Sequence, residues 1–197
     1  TRAALPVRTA SWPTGPKVLL HDDARPGTLY LGGSSGLLQI QLKAEHAEST
    51  TLWAAGAVRG LARAAGGKLL LHASAQGGSP GTWELWELEP HSAVATLIAP
   101  SPVQNATRGL VFSPLTGLVY LGDQAAVWAM SPVTGVSFLV SGALANTAFV
   151  PPLPLVDALV LDPVTGALVA GDATAARGAL EEAAAAAHRA RGRELPG

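Results

Sequence analysis

Apolar residues along this chain come in short, β-branched runs separated by polar turns, and the clearest case lies past its middle. Leu110-Val111-Phe112 leads into Ser113-Pro114-Leu115-Thr116-Gly117, and Leu118-Val119-Tyr120-Leu121 leads out. Short runs of this kind, bounded by Pro and Gly, predict strands rather than helices. The pentapeptide predicts a hairpin. Its Ser side chain can bond nearby backbone, Pro presets φ, and Gly accepts the positive φ that closes the loop. The same unit returns as Ser131-Pro132-Val133-Thr134-Gly135 and as Asp162-Pro163-Val164-Thr165-Gly166.

The flanks repeat with the turns. Arg59-Gly60-Leu61, Arg108-Gly109-Leu110 and Asp157-Ala158-Leu159 follow one another at a constant step of 49 residues. Residues 27–31, 67–71, 117–121 and 166–170 match as second strands, and two of these end alike, in Leu121-Gly122-Asp123 and Ala170-Gly171-Asp172. A period of about 40–50 residues is that of β-propeller blades, each a four-stranded sheet. One unit reads in full as strands at 109–113, 118–121, 126–131 and 136–141. The first unit has the same order with its fourth strand at 51–55, and the second opens with a strand at 61–64. The fourth unit starts in step and loses the pattern after Asp172.

The predicted fold is therefore all-β, with about three and a half four-stranded propeller blades over residues 1–173. Such an arc is either a segment of a larger propeller or a small one completed by a partner. Residues 174–197 are Ala-rich, with Glu181 and Glu182 ahead of Arg189 and Arg191. Acids first and bases last suit the helix dipole, so a short C-terminal helical extension is expected there.

Composition narrows function more than it narrows fold. Of 197 residues 48% are apolar and 14% charged, and 13 basic residues against 14 acidic ones leave a net charge of −1. No basic excess exists to displace counterions, which excludes nucleic-acid binding through bulk charge. The absence of cysteine excludes a disulfide framework, a thiolate metal site and a cysteine nucleophile. The most apolar stretch, 143–161, is broken by Pro151, Pro152 and Pro154, so no transmembrane helix is expected. The chain begins Thr1-Arg2-Ala3, as a processed protein or a piece of a larger one would. Asn105-Ala106-Thr107 fits the glycosylation sequon and makes Asn105 a candidate acceptor. The sequon and the missing cysteines are compatible with a secreted or organelle-lumen protein.

The blade from Arg108 to Asp123 resembles the repeat of NHL-type propellers, and is similar to that of the related gluconolactonase and regucalcin-like group. There a first strand, a Gly turn, an aromatic second strand and a closing Asp recur, and the likeness runs from about Lys17 to Asp172. The resemblance implies a propeller fold and, for the lactonase members, a divalent cation held at the channel mouth by Glu, Asn and Asp. The Asn of that set stands just before a Gly at the start of a first strand. At the matching positions this chain has Arg59 and Arg108, which cannot ligate a metal, and Asp157. A hard cation wants about six oxygen ligands, and one carboxylate does not supply them.

Arg59, Arg108 and Asp157 occupy equivalent points of three units and would form one ring near a propeller axis. They read either as a polar mouth for an acidic ligand or partner, or as strand caps paired with neighbouring blades. Asp123 and Asp172 share a second equivalent position, with a backbone-bonding role or a binding role. Trp83 and Trp86 alternate with acids in strand fashion, as packing between blades or as an exposed contact surface. His21-Asp22-Asp23 has the look of a metal cluster but falls on a turn, where exposed acids are expected. Gly32-Gly33-Ser34-Ser35-Gly36 lacks the Lys and helix of a phosphate loop. The five histidines show no ligand spacing, and no Ser, His and acid are ordered as a triad.

The expectation is a non-catalytic propeller scaffold or protein-interaction module within a larger assembly. No cofactor is expected, and its partner would be a protein or the subunits of a larger complex. A divergent lactonase-type hydrolase using Ca2+ near Asp157, Asp123 or Asp172 is the alternative, and a carbohydrate-binding propeller is a second.

Overall fold

The computed structural model describes residues 7–8, 15, 18–44, 46–74, 82–103, 109–123, 126–142, 156, 158–162 and 165–171. A short strand β1 (Val7–Arg8) comes first, then a blade of β2 (Val18–His21), β3 (Thr28–Gly33), β4 (Gly36–Leu42) and β5 (Ala47–Trp53). The second blade is β6 (Val58–Arg63), β7 (Leu69–Ser74), β8 (Trp83–Glu89) and β9 (Val94–Pro100). The third is β10 (Gly109–Ser113), β11 (Leu118–Gly122), β12 (Ala126–Met130) and β13 (Ser137–Gly142). Of the fourth, β14 (Ala158–Leu161) and β15 (Leu168–Gly171) are described. Within each blade sequential strands pair antiparallel, and β1 lies parallel to β5 on the outer edge of the first. The predicted helix at 174–197 lies outside the described residues, and among them no helix is long and apolar enough to cross a membrane.

The repeated pentapeptides are the turns they were expected to be. Gly117 N–H donates to Ser113 O at 2.8 Å, Gly135 N–H to Ser131 O at 2.9 Å, and Gly166 N–H to Asp162 O at 2.8 Å. The three glycines have φ of +69°, +72° and +71°, a conformation that L side chains rarely adopt. Two predicted strands began too late. The fourth strand of the first blade starts at Ala47 rather than 51, because its first half is a polar outer edge with no apolar run to betray it. The first strand of the second blade starts at Val58 rather than 61, through an irregularity at Arg59 described below.

Each blade has a front face toward the preceding blade and a back face toward the following one. Val18, Leu20, Tyr30 and Leu37 on the back of blade 1 pack with Leu61, Leu71 and Leu88 on the front of blade 2. Leu70 and Leu85 on the back of blade 2 meet Leu110, Leu121 and Met130 on the front of blade 3. Val111, Tyr120 and Val127 on the back of blade 3 meet Val156 and Leu159 of blade 4. Both faces of an interior blade are thus buried, which explains second strands as apolar as Leu69-Leu70-Leu71. On the front of blade 1, Leu29, Leu31, Ile40 and Ala47 form a small cluster of their own.

A β-bulge recurs at one position in the outermost strand of all three four-stranded blades. Leu52 of β5, Ile98 of β9 and Val140 of β13 are each the extra residue between two register pairs. Such a bulge bends the strand and raises its twist. It has no signature in the hydrophobic pattern.

Candidate functional site

One end of blade 2 departs from the repeat. At the start of β6, Val58 pairs with Ala73 and Gly60 with His72, which leaves Arg59 as a bulge residue without a cross-strand partner. Bulges of this kind re-aim a side chain. The Arg59 guanidinium lies 5.0 Å from the ring centroid of Trp83 at the start of β8, within cation–π range. Trp83 is buried and stacks on His72 of β7, with centroids 5.0 Å apart and ring planes 20° from parallel. Arg59 itself is half-buried, and no ion pair is found for it among the described residues.

His72 ties this stack to the segment that leaves blade 2. Its Nε2 lies 2.9 Å from Ser101 Oγ and 3.3 Å from the Val103 carbonyl. Ser101 Oγ in turn accepts the Val103 N–H at 3.1 Å, and Ser101 N–H donates to Trp83 O at 2.8 Å. These contacts assign the Nε2 proton, leaving Nδ1 as a buried acceptor without a partner among the described residues. Burial, opposed by the Val103 carbonyl and reinforced by the Arg59 charge, pushes the His72 pKa down to about 4. The imidazole is neutral at pH 7.

The structure brings Arg59 and Trp83 together, although the sequence suggested separate roles for them. Trp86 lies on the opposite face of β8 and packs against Trp53 of blade 1, centroids 5.0 Å apart and planes at 60°. Asp123 follows β11, where its N–H donates to the Ala126 carbonyl at 2.8 Å. Arg108, Asp157, Asp172 and Asn105 lie outside the described residues. Gly33 and Gly36 pair across the β3–β4 hairpin, so the glycine-rich stretch there is a strand turn.

His21-Asp22-Asp23 calls for a correction. Asp23 is exposed, bonded by His21 Nδ1 at 2.7 Å, but Asp22 is buried. Its carboxylate accepts the Tyr30 hydroxyl at 3.1 Å, the Ala24 N–H at 3.1 Å and an N–H of Arg63, with Arg25 Nε 3.5 Å away. Burial holds the Tyr30 phenol above its ordinary pKa, with Arg25 opposing and the Asp22 hydrogen bond adding to the rise. The turn looked exposed because the ion pair that buries Asp22 comes from a residue 41 positions later.

Two further features complete the site's surroundings. Among the described residues, no three His, Asp or Glu side chains gather as a metal would require. A cavity of about 610 Å³ runs along the inner strands, lined by Leu20, Leu61, Leu110, Phe112 and Leu159, with Arg63 and Asp23 at its margin.

No protein-family model and no curated protein sequence matches the chain. Solved structures do. A protein of a nidogen/laminin complex aligns at 17% identity and a TM-score of 0.57, over 75% of this chain and 53% of that one. A structural-genomics protein of unknown function from Bacteroides thetaiotaomicron VPI-5482 aligns at 12% identity and a TM-score of 0.61, over 83% of this chain and 40% of its own. The extracellular domain of a candidate one-component system from B. thetaiotaomicron aligns at 18% identity and a TM-score of 0.54, over 83% of this chain and 20% of that one. The chain spans about half or less of each of these three structures. At such identities the likeness speaks for the fold, and with the repeated four-stranded sheets it shows that the chain has a β-propeller fold.

Proposed function

We propose that this chain is a non-catalytic β-propeller module, of the NHL or gluconolactonase-like kind, which binds an acidic partner protein. Its contact would be the end of blade 2 that carries Arg59, and it would work within a larger, extracellular or lumenal assembly. The observation that carries this reading is Arg59 itself. A bulge aims its guanidinium over a buried indole, and no carboxylate pairs with it among the described residues. A guanidinium held against an indole still carries N–H donors in a fixed fork, which suits bidentate binding of a carboxylate. Arg108 and Asp157 follow Arg59 at the same repeat step and are the further candidates for this face. The neighbours lend support of a general kind, since one stands in a nidogen/laminin complex and another is an extracellular domain.

A glutamate-rich peptide titrated against the intrinsic tryptophan fluorescence tests the reading. Binding should weaken about tenfold in Arg59→Ala and partly recover in Arg59→Lys. Equal binding by wild type and Arg59→Ala, or no binding by the wild type, would overturn it.

A further inference from the structure

The inner strands of the four blades border a space that the proposed contact at Arg59 does not use. Arg59 lies near the start of β6 and Arg63 ends it, so the two stand roughly 13 Å apart along the strand. The cavity of about 610 Å³ takes lining from all four inner strands and has its margin at the Arg63 end, among the turns. These strands line the axis of the arc whether or not further blades stand beside them.

The wall of this cavity is divided by chemistry. Arg63, Phe112 and Leu161 hold one register place in blades 2, 3 and 4, paired with Leu69, Val119 and Leu168. The lining thus changes from a guanidinium on blade 2 to apolar side chains on blades 3 and 4. Leu115, in the first turn of blade 3, extends the apolar side. It reaches the matching turn of blade 4, where a Cβ on Gly166 would stand 2.8 Å from Leu115 Cδ1. Leu115 and Val160 both line the cavity and are 67% and 61% exposed, so apolar surface there faces solvent.

Charge selects among the molecules that could enter. The charged side chains among the described lining residues are Asp23 and Arg63, one of each sign. Arg63 gives one N–H to Asp22, and its other donors have no acceptor among the described residues. An ion of either sign would meet a like charge at the margin, whereas a neutral carbonyl or hydroxyl accepts from Arg63 without that cost. The volume falls within the roughly 300–1,000 Å³ of small-molecule sites, which are mostly apolar with a few polar groups.

We infer that this end of the axis is a binding site for an uncharged amphiphile, its apolar body against Leu20, Phe112 and Leu115 and its carbonyl or hydroxyl accepting an N–H of Arg63. The inference goes beyond the proposed function and owes nothing to Arg59.

Nile red, an uncharged dye with a carbonyl acceptor, is the probe, titrated against the full chain. Saturable binding of one dye per chain is expected, and 1-decanol should displace it at about tenfold lower concentration than decanoate or decylammonium. Leu115→Asp and Val160→Asp alter exposed side chains, and each should weaken dye binding about tenfold with unchanged circular dichroism. Val133→Asp, at a 90% exposed turn position outside the lining, should leave binding as it is. The inference is overturned by the absence of saturable binding, by equal losses in all three variants, or by no loss in the two lining variants. Displacement by either ion as readily as by decanol overturns it as well. Peptide binding at Arg59 is read separately, so either result leaves the other standing.

Discussion

The guanidinium of Arg63, at the end of blade 2's inner strand, donates to the buried carboxylate of Asp22, in the first turn of blade 1. The bond crosses a junction whose described core is made of apolar side chains. It also orients Tyr30, whose ring lies in that same junction. Removing the carboxylate leaves the Tyr30 hydroxyl and an arginine without their shared acceptor. Asp22→Ala should therefore cost about 3 kcal/mol in a urea unfolding curve. A loss under about 0.5 kcal/mol would mean that solvent replaces the carboxylate freely.

Acid should act on the neighbouring junction through His72. Its pKa falls from an ordinary 6.5 in the unfolded chain to about 4 in the fold. Between those values the unfolded chain holds the proton and the folded chain does not. Stability is thus unaffected by this group above pH 6.5, declines as pH drops below it, and by pH 4 has lost about 3 kcal/mol. Melting temperatures measured from pH 7.5 to 4 should show this decline in the wild type and a flatter profile in His72→Gln. Parallel profiles would assign the acid sensitivity elsewhere.

Two turn glycines separate backbone strain from collision. Gly117 has φ of +69° with nothing within 4 Å of its Cβ position among the described residues, so Gly117→Ala should cost about 1 kcal/mol. Gly36 has φ of +135°, and a Cβ there would stand 2.0 Å from the Trp53 carbonyl oxygen. Gly36→Ala should cost about 3 kcal/mol or more, since β3, β4 and β5 would have to shift together. Similar losses at the two sites in thermal unfolding would contradict this division.

Gly122 and Gly171, in register on blades 3 and 4, make a further pair. Gly122→Val would drive a side chain into Val156 and should destabilise the fold by about 2 kcal/mol. Gly171→Val, at the equivalent place in blade 4, meets nothing within 4 Å among the described residues and should stay within about 0.5 kcal/mol of wild type. Chemical denaturation of both variants checks the equivalence, and comparable losses would show that the fourth blade is covered.

The fold was legible because its signals are local. Ser113, Ser131 and Asp162 each open a turn whose bonds close within a few residues, and the glycines at 117, 135 and 166 mark where φ must be positive. The site was half legible. Arg59 stood out by its repeat position, but its contact with Trp83 goes with a bulge that leaves no trace in the hydrophobic pattern. His72 has no ligand-like spacing to mark it. The signal that could have found it is its place in a column otherwise filled by Gly32, Gly122 and Gly171, visible once the blades are set in register. Asp22 was misjudged because burial there depends on Arg63, and distant pairing of that kind is invisible to a local reading.

The bulges at Leu52, Ile98 and Val140 bear on how such a molecule can grow. A smooth outer strand would offer its free N–H and C=O groups as a template for any extended segment, and sheets would spread sideways into aggregates. Here the rim of every complete blade is interrupted at the same step, and the first rim also has β1 laid along it. Lateral strand addition is discouraged, so new partners are channelled around the circumference rather than outward from it.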